Sequence, residues 1–403
     1  MTSVSRQLAL SIALACIPVL SSAQADPAPA AATAPAAAPT TVASVGELSS
    51  VPAPVVPAKA WVTLDVSSGQ LIGANNPDQK VEPASLTKLM SAYVIFEAIK
   101  NGRLSLDQEV PISEHAWKTE GSRMFAEVGT NVKVDLLLQG LIVQSGNDAT
   151  VALAEAVAGS EDAFVALMNE EAKRQGLTAT HFTNAPGLPD EQHTTTVRDL
   201  ATLSANLVAD FPEYLHYYSQ KEFTYNKIRQ PNRNRLLWAD PTVDGLKTGH
   251  TSSAGFCLIS TALRDGRRIV SVLVGAESDA ARTESSLKLL NWSFQNFDAI
   301  KLYDQGQPAV QARVWEGAAD SVDLGQTKPL WITVPRGKGP EVKPIAQYKQ
   351  PLVAPLTKGS EVGTVSLSLD GKVLREAPLA IMNDVPEAGF FGRMYDKVML
   401  MLE

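Results

Sequence analysis

The chain has 403 residues, 45% of them hydrophobic, and a formal net charge of −8. That length suits two domains with flanking segments rather than one, and the acidic balance excludes the clustered basic surface that nucleic acid requires. Of its two cysteines, Cys16 falls in a removable leader, so the mature chain keeps only Cys257 and an internal disulfide is excluded.

Residues 1–25 carry the three parts of a secretory signal. Arg6 lies near the start, the apolar run over 8–20 is too short to span a bilayer, and Ala23-Gln24-Ala25 offers a small-x-small cleavage site. Leu14-Ala15-Cys16 is a weaker, lipoprotein-like alternative, with Ala13 where leucine is usual. The mature protein is expected outside the cytoplasm. Residues 26–58 are mostly Ala, Pro, Thr, Ser and Val and read as a disordered or polyproline-like spacer, because proline blocks helix and little there can form a core.

Residues 61–66 and 70–73 read as strands around Ser67-Ser68-Gly69, followed by a helix over 85–100 that stops at Asn101-Gly102. Helical spacing of apolar residues over 134–144 and 148–158 is broken by Ser145-Gly146-Asn147, and 161–175 and 197–209 read as further helices. Residues 255–263 and 268–275, joined through Asp265-Gly266, read as a hairpin, and 279–296 as a helix. Cys257, inside an apolar run, reads as a small buried hydrophobe. The order predicts an α/β (α+β) domain over 59–297, an antiparallel sheet with helices packed on both sides.

Beyond residue 298 the segments 311–315, 330–334, 364–369 and 372–375 are short, alternating and punctuated by Gly and Pro. They predict a small all-β domain over 298–385, with a spacing or partner-binding role. In the final stretch, 386–403, Phe390, Phe391, Met394, Tyr395, Val398, Met399 and Leu402 share one helical face, opposite Arg393, Asp396 and Lys397. Such a helix lies in a membrane interface or docks onto the β domain, and its large apolar load favours the membrane.

Three short motifs then line up: Ser85-x-x-Lys88, Ser145-Gly146-Asn147 and Lys247-Thr248-Gly249. Residues i and i+3 share a helix face, so Lys88 is placed to take the proton of Ser85, which is a poor nucleophile without an adjacent base. Acyl transfer also needs a proton path to the leaving amine and donors for the oxyanion. Ser145 suits the first need and Asn147 suits the substrate amide. Lys247 supplies a charge expected to hold Lys88 neutral and Ser145 oriented. Gly249 fits a place where substrate presses on backbone, and the backbone N–H groups of Ser85 and of the strand after Gly249 suit an oxyanion hole.

With these motifs the chain resembles the low-molecular-mass penicillin-binding proteins, the serine-type D-alanyl-D-alanine carboxypeptidases of bacterial cell-wall metabolism. The resemblance runs through Glu82-Pro83-Ala84-Ser85-Leu86-Thr87-Lys88-Leu89-Met90, Gln144-Ser145-Gly146-Asn147-Asp148-Ala149, Gln230-Pro231-Asn232-Arg233-Asn234 and Val243-Asp244-Gly245-Leu246-Lys247-Thr248-Gly249-His250-Thr251. It covers 59–296 and extends through the β domain and the terminal helix. It implies a β-lactamase/transpeptidase-like fold without cofactor or metal, and acylation of Ser85 by the peptidoglycan stem pentapeptide with release of D-Ala. It also implies acylation and inhibition by β-lactams, and an exported protein held on the outer face of the inner membrane by its terminal helix. Arg282 aligns with a residue that helps hold the terminal carboxylate, and its planar fork suits that task. His250 and Arg233 align with residues of the same cleft, as do Thr248 and Gly249. Relatives often carry a histidine before the Gly-Leu of the loop bordering the site. Here Ala185-Pro186 precedes Gly187-Leu188, which leaves deacylation rate and substrate preference open.

A D,D-endopeptidase acting on cross-links is the nearest alternative. A class A β-lactamase needs an E-x-x-N segment between the second and third motifs, and no glutamate there has Asn three residues on. A zinc peptidase would rest on His193 and Asp199 alone, short of a ligand set.

Overall fold

The computed structural model describes residues 45–402; the expected signal segment and the first part of the expected spacer lie outside them. A five-stranded antiparallel sheet forms the centre, in the order Leu71–Asn75, Ala60–Asp65, Arg267–Ala276, Gly255–Arg264, Val243–Thr251. Side chains alternate across a strand, so adjacent residues feed different cores. Ile259 and Val272 join the cluster containing Leu89, Phe96 and Leu153, while Leu258 and Ile269 face Leu290 and Phe297 on the other side. Both faces of the sheet are thereby covered, as expected.

The first cluster is built from the helices Lys88–Lys100, Asn147–Ala158, Glu161–Arg174 and Val197–Asp210. Two of these begin on side-chain caps that satisfy otherwise orphaned N–H groups: Ser160 accepts from Ala163 N and Thr196 from Asp199 N. The helix Asp279–Asn296 covers the opposite face and is capped by Ser278.

One expectation is corrected. The spacer reading extends to residue 58, yet the chain from residue 45 onward is anchored to the folded part at points, with exposed residues such as Val55 between them. Val45 and Val56 are buried, Val45 against Ile72 and Leu290 and Val56 beside Trp61. Val45 opens a single 3-10 turn, Val45–Leu48, and Val56 stands next to Pro57; such short anchors reach a neighbouring core without a repeat long enough for periodicity to reveal them.

The C-terminal region is all-β. Six strands run in the order Lys343–Tyr348, Glu361–Leu369, Lys372–Ile381, Ser321–Gly325, Pro308–Trp315, Leu352–Val353, and Phe297–Tyr303 pairs separately with Leu330–Pro335. It meets the first domain at the Ser67–Gln70 turn. Ser68 Oγ lies 2.7 Å from Thr333 Oγ1, Gln70 Nε2 donates to Leu374 O at 3.1 Å, and Thr333 N donates to Gln70 Oε1 at 2.8 Å.

The terminal helix Phe390–Leu400 follows. Its polar side is the docked one. Asp396 Oδ2 accepts from Glu316 N at 2.6 Å, Lys397 lies 3.7 Å from the Glu316 carboxylate, and Arg393 pairs with Glu387. Phe390, Phe391, Met394, Tyr395 and Val398 face outward and are more than half exposed. Among the described residues no helix is long and apolar enough to cross a membrane.

Candidate active site

Ser85 sits in the 3-10 turn Ala84–Thr87, which runs directly into the helix beginning at Lys88. Ala84 before it has φ +49°, a left-handed conformation that is strained for a residue with a Cβ. This bend aims Ser85, which is partly exposed, into a cleft while Leu86, Thr87 and Lys88 are buried. Lys88 Nζ has three acceptors: Ser85 Oγ at 3.3 Å, Asn147 Oδ1 at 2.7 Å and the Pro186 carbonyl at 2.7 Å. Burial of the ammonium, and secondarily the Arg233 charge, bring its pKa down to about 7, against an opposing pull from Asp148. A lysine so placed exchanges protons at neutral pH.

Ser145 ends a π-helical turn, Gly140–Gln144, with φ +64°. The reversal lifts its hydroxyl out of the helical run, and Lys247 Nζ donates to Ser145 Oγ at 2.8 Å and to Thr248 O at 2.9 Å. Lys247 is buried, and burial followed by the Lys88 charge holds its pKa well below the ordinary lysine range. The expected division of labour shifts here: burial and Arg233 depress Lys88, while the repulsion between the two lysines bears on Lys247. Two ammonium groups sharing a buried site cannot both stay charged cheaply.

Lys247, Thr248, Gly249 and His250 lie along the sheet's last strand, which packs its outer edge on the Ser85 turn. A Cβ on Gly249 would stand 3.3 Å from the Pro83 carbonyl and 3.2 Å from Leu86, so the two backbones meet there. Asn147 is engaged at both ends of its amide, accepting from Lys88 and donating to Glu120 O. Arg282 is buried, pairs with Asp279 at 2.6 Å, and donates to the carbonyls of Gly249 and Cys257 at 3.3 Å each. Arg233 is exposed, and its guanidinium makes no hydrogen bond or ion pair among the described residues. His250 lies on Phe256, ring centres 4.2 Å apart. Ser85, Ser145, Arg233, Thr248, His250 and Arg282 line one cleft of about 910 Å³. A second cavity, of about 800 Å³ around Trp292 and Arg375, includes none of these groups.

Several supporting residues escape sequence reasoning. Asp148, fully buried, accepts from Met124 N and Ala149 N at 2.9 Å, Phe125 N at 3.0 Å and Ala126 N at 3.1 Å. It thereby anchors the loop whose Gly121 and Ser122 form part of the cleft wall. The 183–188 loop is pinned at Ala185 by Glu161 and Ser91, which sets the Pro186 carbonyl against Lys88. His193 bonds Thr87 through Nε2 at 2.9 Å and faces Thr183 through Nδ1 at 3.1 Å; Asp199 instead accepts from Ala179 and Thr180. Burial pushes the Cys257 thiol up to about 11, as suits an inert core residue.

The fold and this constellation define a serine acyl-transfer enzyme of the transpeptidase-like class. Residues 47–278 match the model of the D-alanyl-D-alanine carboxypeptidase family, and 297–387 match that of the penicillin-binding protein 5 C-terminal domain. The chain belongs to the D-alanyl-D-alanine carboxypeptidase family. It is 43% identical over 358 residues to D-alanyl-D-alanine carboxypeptidase DacC of Escherichia coli, covering 87% of this chain and 90% of the relative. Penicillin-binding protein 5 from Haemophilus influenzae superposes with a TM-score of 0.80 at 43% identity, over 84% of this chain and all of that one. Penicillin-binding protein D2 from Listeria monocytogenes, solved in an ampicillin-bound form, superposes with a TM-score of 0.56 at 31% identity, over 60% of this chain and all of that one.

Proposed function

We propose that this protein removes the terminal D-alanine of peptidoglycan stem pentapeptides through an acyl-enzyme on Ser85. Neutral Lys88 takes the Ser85 proton as Oγ attacks the penultimate D-Ala carbonyl carbon. Ser145, oriented by Lys247, delivers a proton to the leaving nitrogen, and the C–N bond breaks. The oxyanion is held by the N–H groups of Ser85 and His250, and Asn147 and Gly249 align the substrate backbone. Arg233, the uncommitted cation of the cleft, holds the terminal carboxylate together with Thr248 and His250, while Arg282 supports it by bracing the strand through the Gly249 carbonyl. Water then cleaves the ester. A β-lactam enters the same path and stalls as the ester.

The carrying observation is the convergence of two lysine–serine pairs, Lys88–Ser85 at 3.3 Å and Lys247–Ser145 at 2.8 Å, in a single cleft. The test is intact mass of the mature protein after addition of a penicillin. One adduct mapping to Ser85 and lasting minutes or longer is expected, with none in Ser85→Ala. Labelling retained in that variant would remove Ser85 from the mechanism, and rapid turnover of the drug would favour a β-lactamase.

The remaining organisation belongs to the same proposal. Residues 1–25 direct export, 59–297 carry catalysis, 298–385 hold the catalytic part away from the membrane, and 386–403 bind the outer face of the inner membrane. The terminal helix supports this, since Asp396 and Lys397 turn toward Glu316 of the β domain, Arg393 is paired with Glu387, and the apolar face is left outward.

A further inference from the structure

A neutral amine carries N–H bonds that donate and one lone pair, and only the lone pair can take a proton. Around Lys88 Nζ the two nearer acceptors are Asn147 Oδ1 and the Pro186 carbonyl, each at 2.7 Å, while Ser85 Oγ stands at 3.3 Å. When the neutral amine gives its two N–H bonds to those carbonyl oxygens, the lone pair is left facing Ser85. The aim of the base therefore depends on where the 183–188 loop holds one backbone carbonyl.

His193 ties that loop to the lysine. The segment that carries it is laced to the fold on both sides: Thr194 exchanges main-chain hydrogen bonds with His181 at 2.8 and 3.1 Å, and Thr195 with Val81 at 2.9 Å each. The ring is buried and packs edge-on against Phe182, centres 5.6 Å apart. Nε2 reaches Thr87 Oγ1, in the residue before Lys88, at 2.9 Å. Nδ1 reaches Thr183 Oγ1, three residues before Pro186, at 3.1 Å and accepts from Thr183 N at 3.4 Å. A backbone N–H only donates, so Nδ1 is the accepting nitrogen and the proton sits on Nε2, directed at Thr87. Burial, against the pull of Asp190, brings the imidazole pKa down to about 4. The ring thus stays neutral, in this one tautomer, through the range in which Lys88 titrates.

Resting on the reading that Lys88 is the base for acylation of Ser85, we propose that His193 is a positioning residue for this reaction. Its imidazole is the rigid spacer that sets the Pro186 carbonyl against Lys88 and so turns the lysine lone pair toward Ser85. It offers one donor and one acceptor on opposite sides of a flat ring, and in the neutral state it adds no charge beside the ammonium.

The experiment follows penicillin acylation by stopped flow and intact mass in wild type, His193→Leu, His193→Gln and Thr183→Val. It separates the acylation rate at saturating drug from the half-saturating concentration. A misdirected lone pair slows the chemical step and leaves drug binding alone. His193→Leu is expected to lower the saturating rate about tenfold or more, with half-saturation within about twofold. His193→Gln keeps a donor toward Thr87 and should recover part of the rate, and Thr183→Val should lose a smaller part in the same parameter. A purely structural role would instead lower the melting temperature and the fraction of protein labelled, with the labelled fraction reacting at the wild-type rate. That outcome overturns the inference. Should His193→Leu fail to fold, the two near-isosteric variants decide, and wild-type saturating rates in both overturn it. A wild-type protein that penicillin does not acylate at Ser85 would instead overturn the acyl-enzyme reading beneath it.

Discussion

At the scale of single residues, the chemistry turns on which charges the protein can hold buried. Lys88 accepts a proton only when neutral, and burial brings its pKa to about 7. Its neutral fraction therefore rises as pH rises through that value. Penicillin acylation of Ser85, followed from pH 5 to 9, should climb roughly tenfold per pH unit on the acid side and level off above about 7. A rate still climbing steeply at pH 9 would mean that burial does not depress Lys88. Asp148 works against this depression while four N–H groups hold its carboxylate. Asp148→Asn removes the charge and turns an NH2 group toward donors, a loss of about 2–3 kcal/mol. A lower melting temperature, a reduced acylation plateau and an acid limb displaced to lower pH are expected together. An acid limb that stays in place would show that Asp148 has no hold on Lys88. The Ser85–Lys88 pairing was legible in sequence because i and i+3 must meet on a helix. The Pro186 carbonyl was not, since every residue carries that group and only the chain's path brings one to Lys88.

Among the elements, the 183–188 loop shows how backbone shape becomes chemistry. Asn184 Oδ1 accepts from Gly187 N and Leu188 N at 2.8 Å each, closing a tight turn. Gly187 has φ +84°, and a Cβ there would lie 2.0 Å from the Ala84 carbonyl and 2.7 Å from Thr87 Oγ1. This is a position that needs glycine for both conformation and close approach. Gly187→Ala should destabilise the protein by about 2 kcal/mol or more and slow acylation at least tenfold, read as melting temperature and penicillin labelling rate. Normal labelling would mean the loop can withdraw without disturbing Ser85. Helices and the central hairpins were legible from period and turn residues; the helix Asp279–Asn296 falls where its pattern placed it. The short hairpin of Glu222–Tyr225 and Ile228–Pro231 was not, because four-residue strands beside polar turns carry too little periodicity.

For the whole molecule, the question is what the β domain and terminal helix do for a site they do not enter. Removing a Phe, Met or Val side chain from water is worth about 1.5–3 kcal/mol. The outward residues Phe390, Phe391, Met394 and Val398 therefore supply several kcal/mol on entering a lipid interface. Deleting 386–403 should release a soluble protein with unchanged penicillin labelling, checked by sedimentation with membranes. Persistent pelleting of that truncation would place the attachment elsewhere.

The sequence by itself determined the family, the reaction class and the order of an α+β region before an all-β one, and it singled out Ser85, Lys88 and Lys247 as candidates, because those depend on residue type and local spacing. Tertiary structure alone decided that Arg233 stays uncommitted while Arg282 is spent on Asp279 and backbone carbonyls, and that burial sets the proton affinity of Lys88. It also decided that the spacer's last residues are anchored at points and that the terminal helix docks by its polar side. Charge pairing, burial and docking are properties of neighbours in space, and the linear chain records them only where those neighbours are also close in sequence.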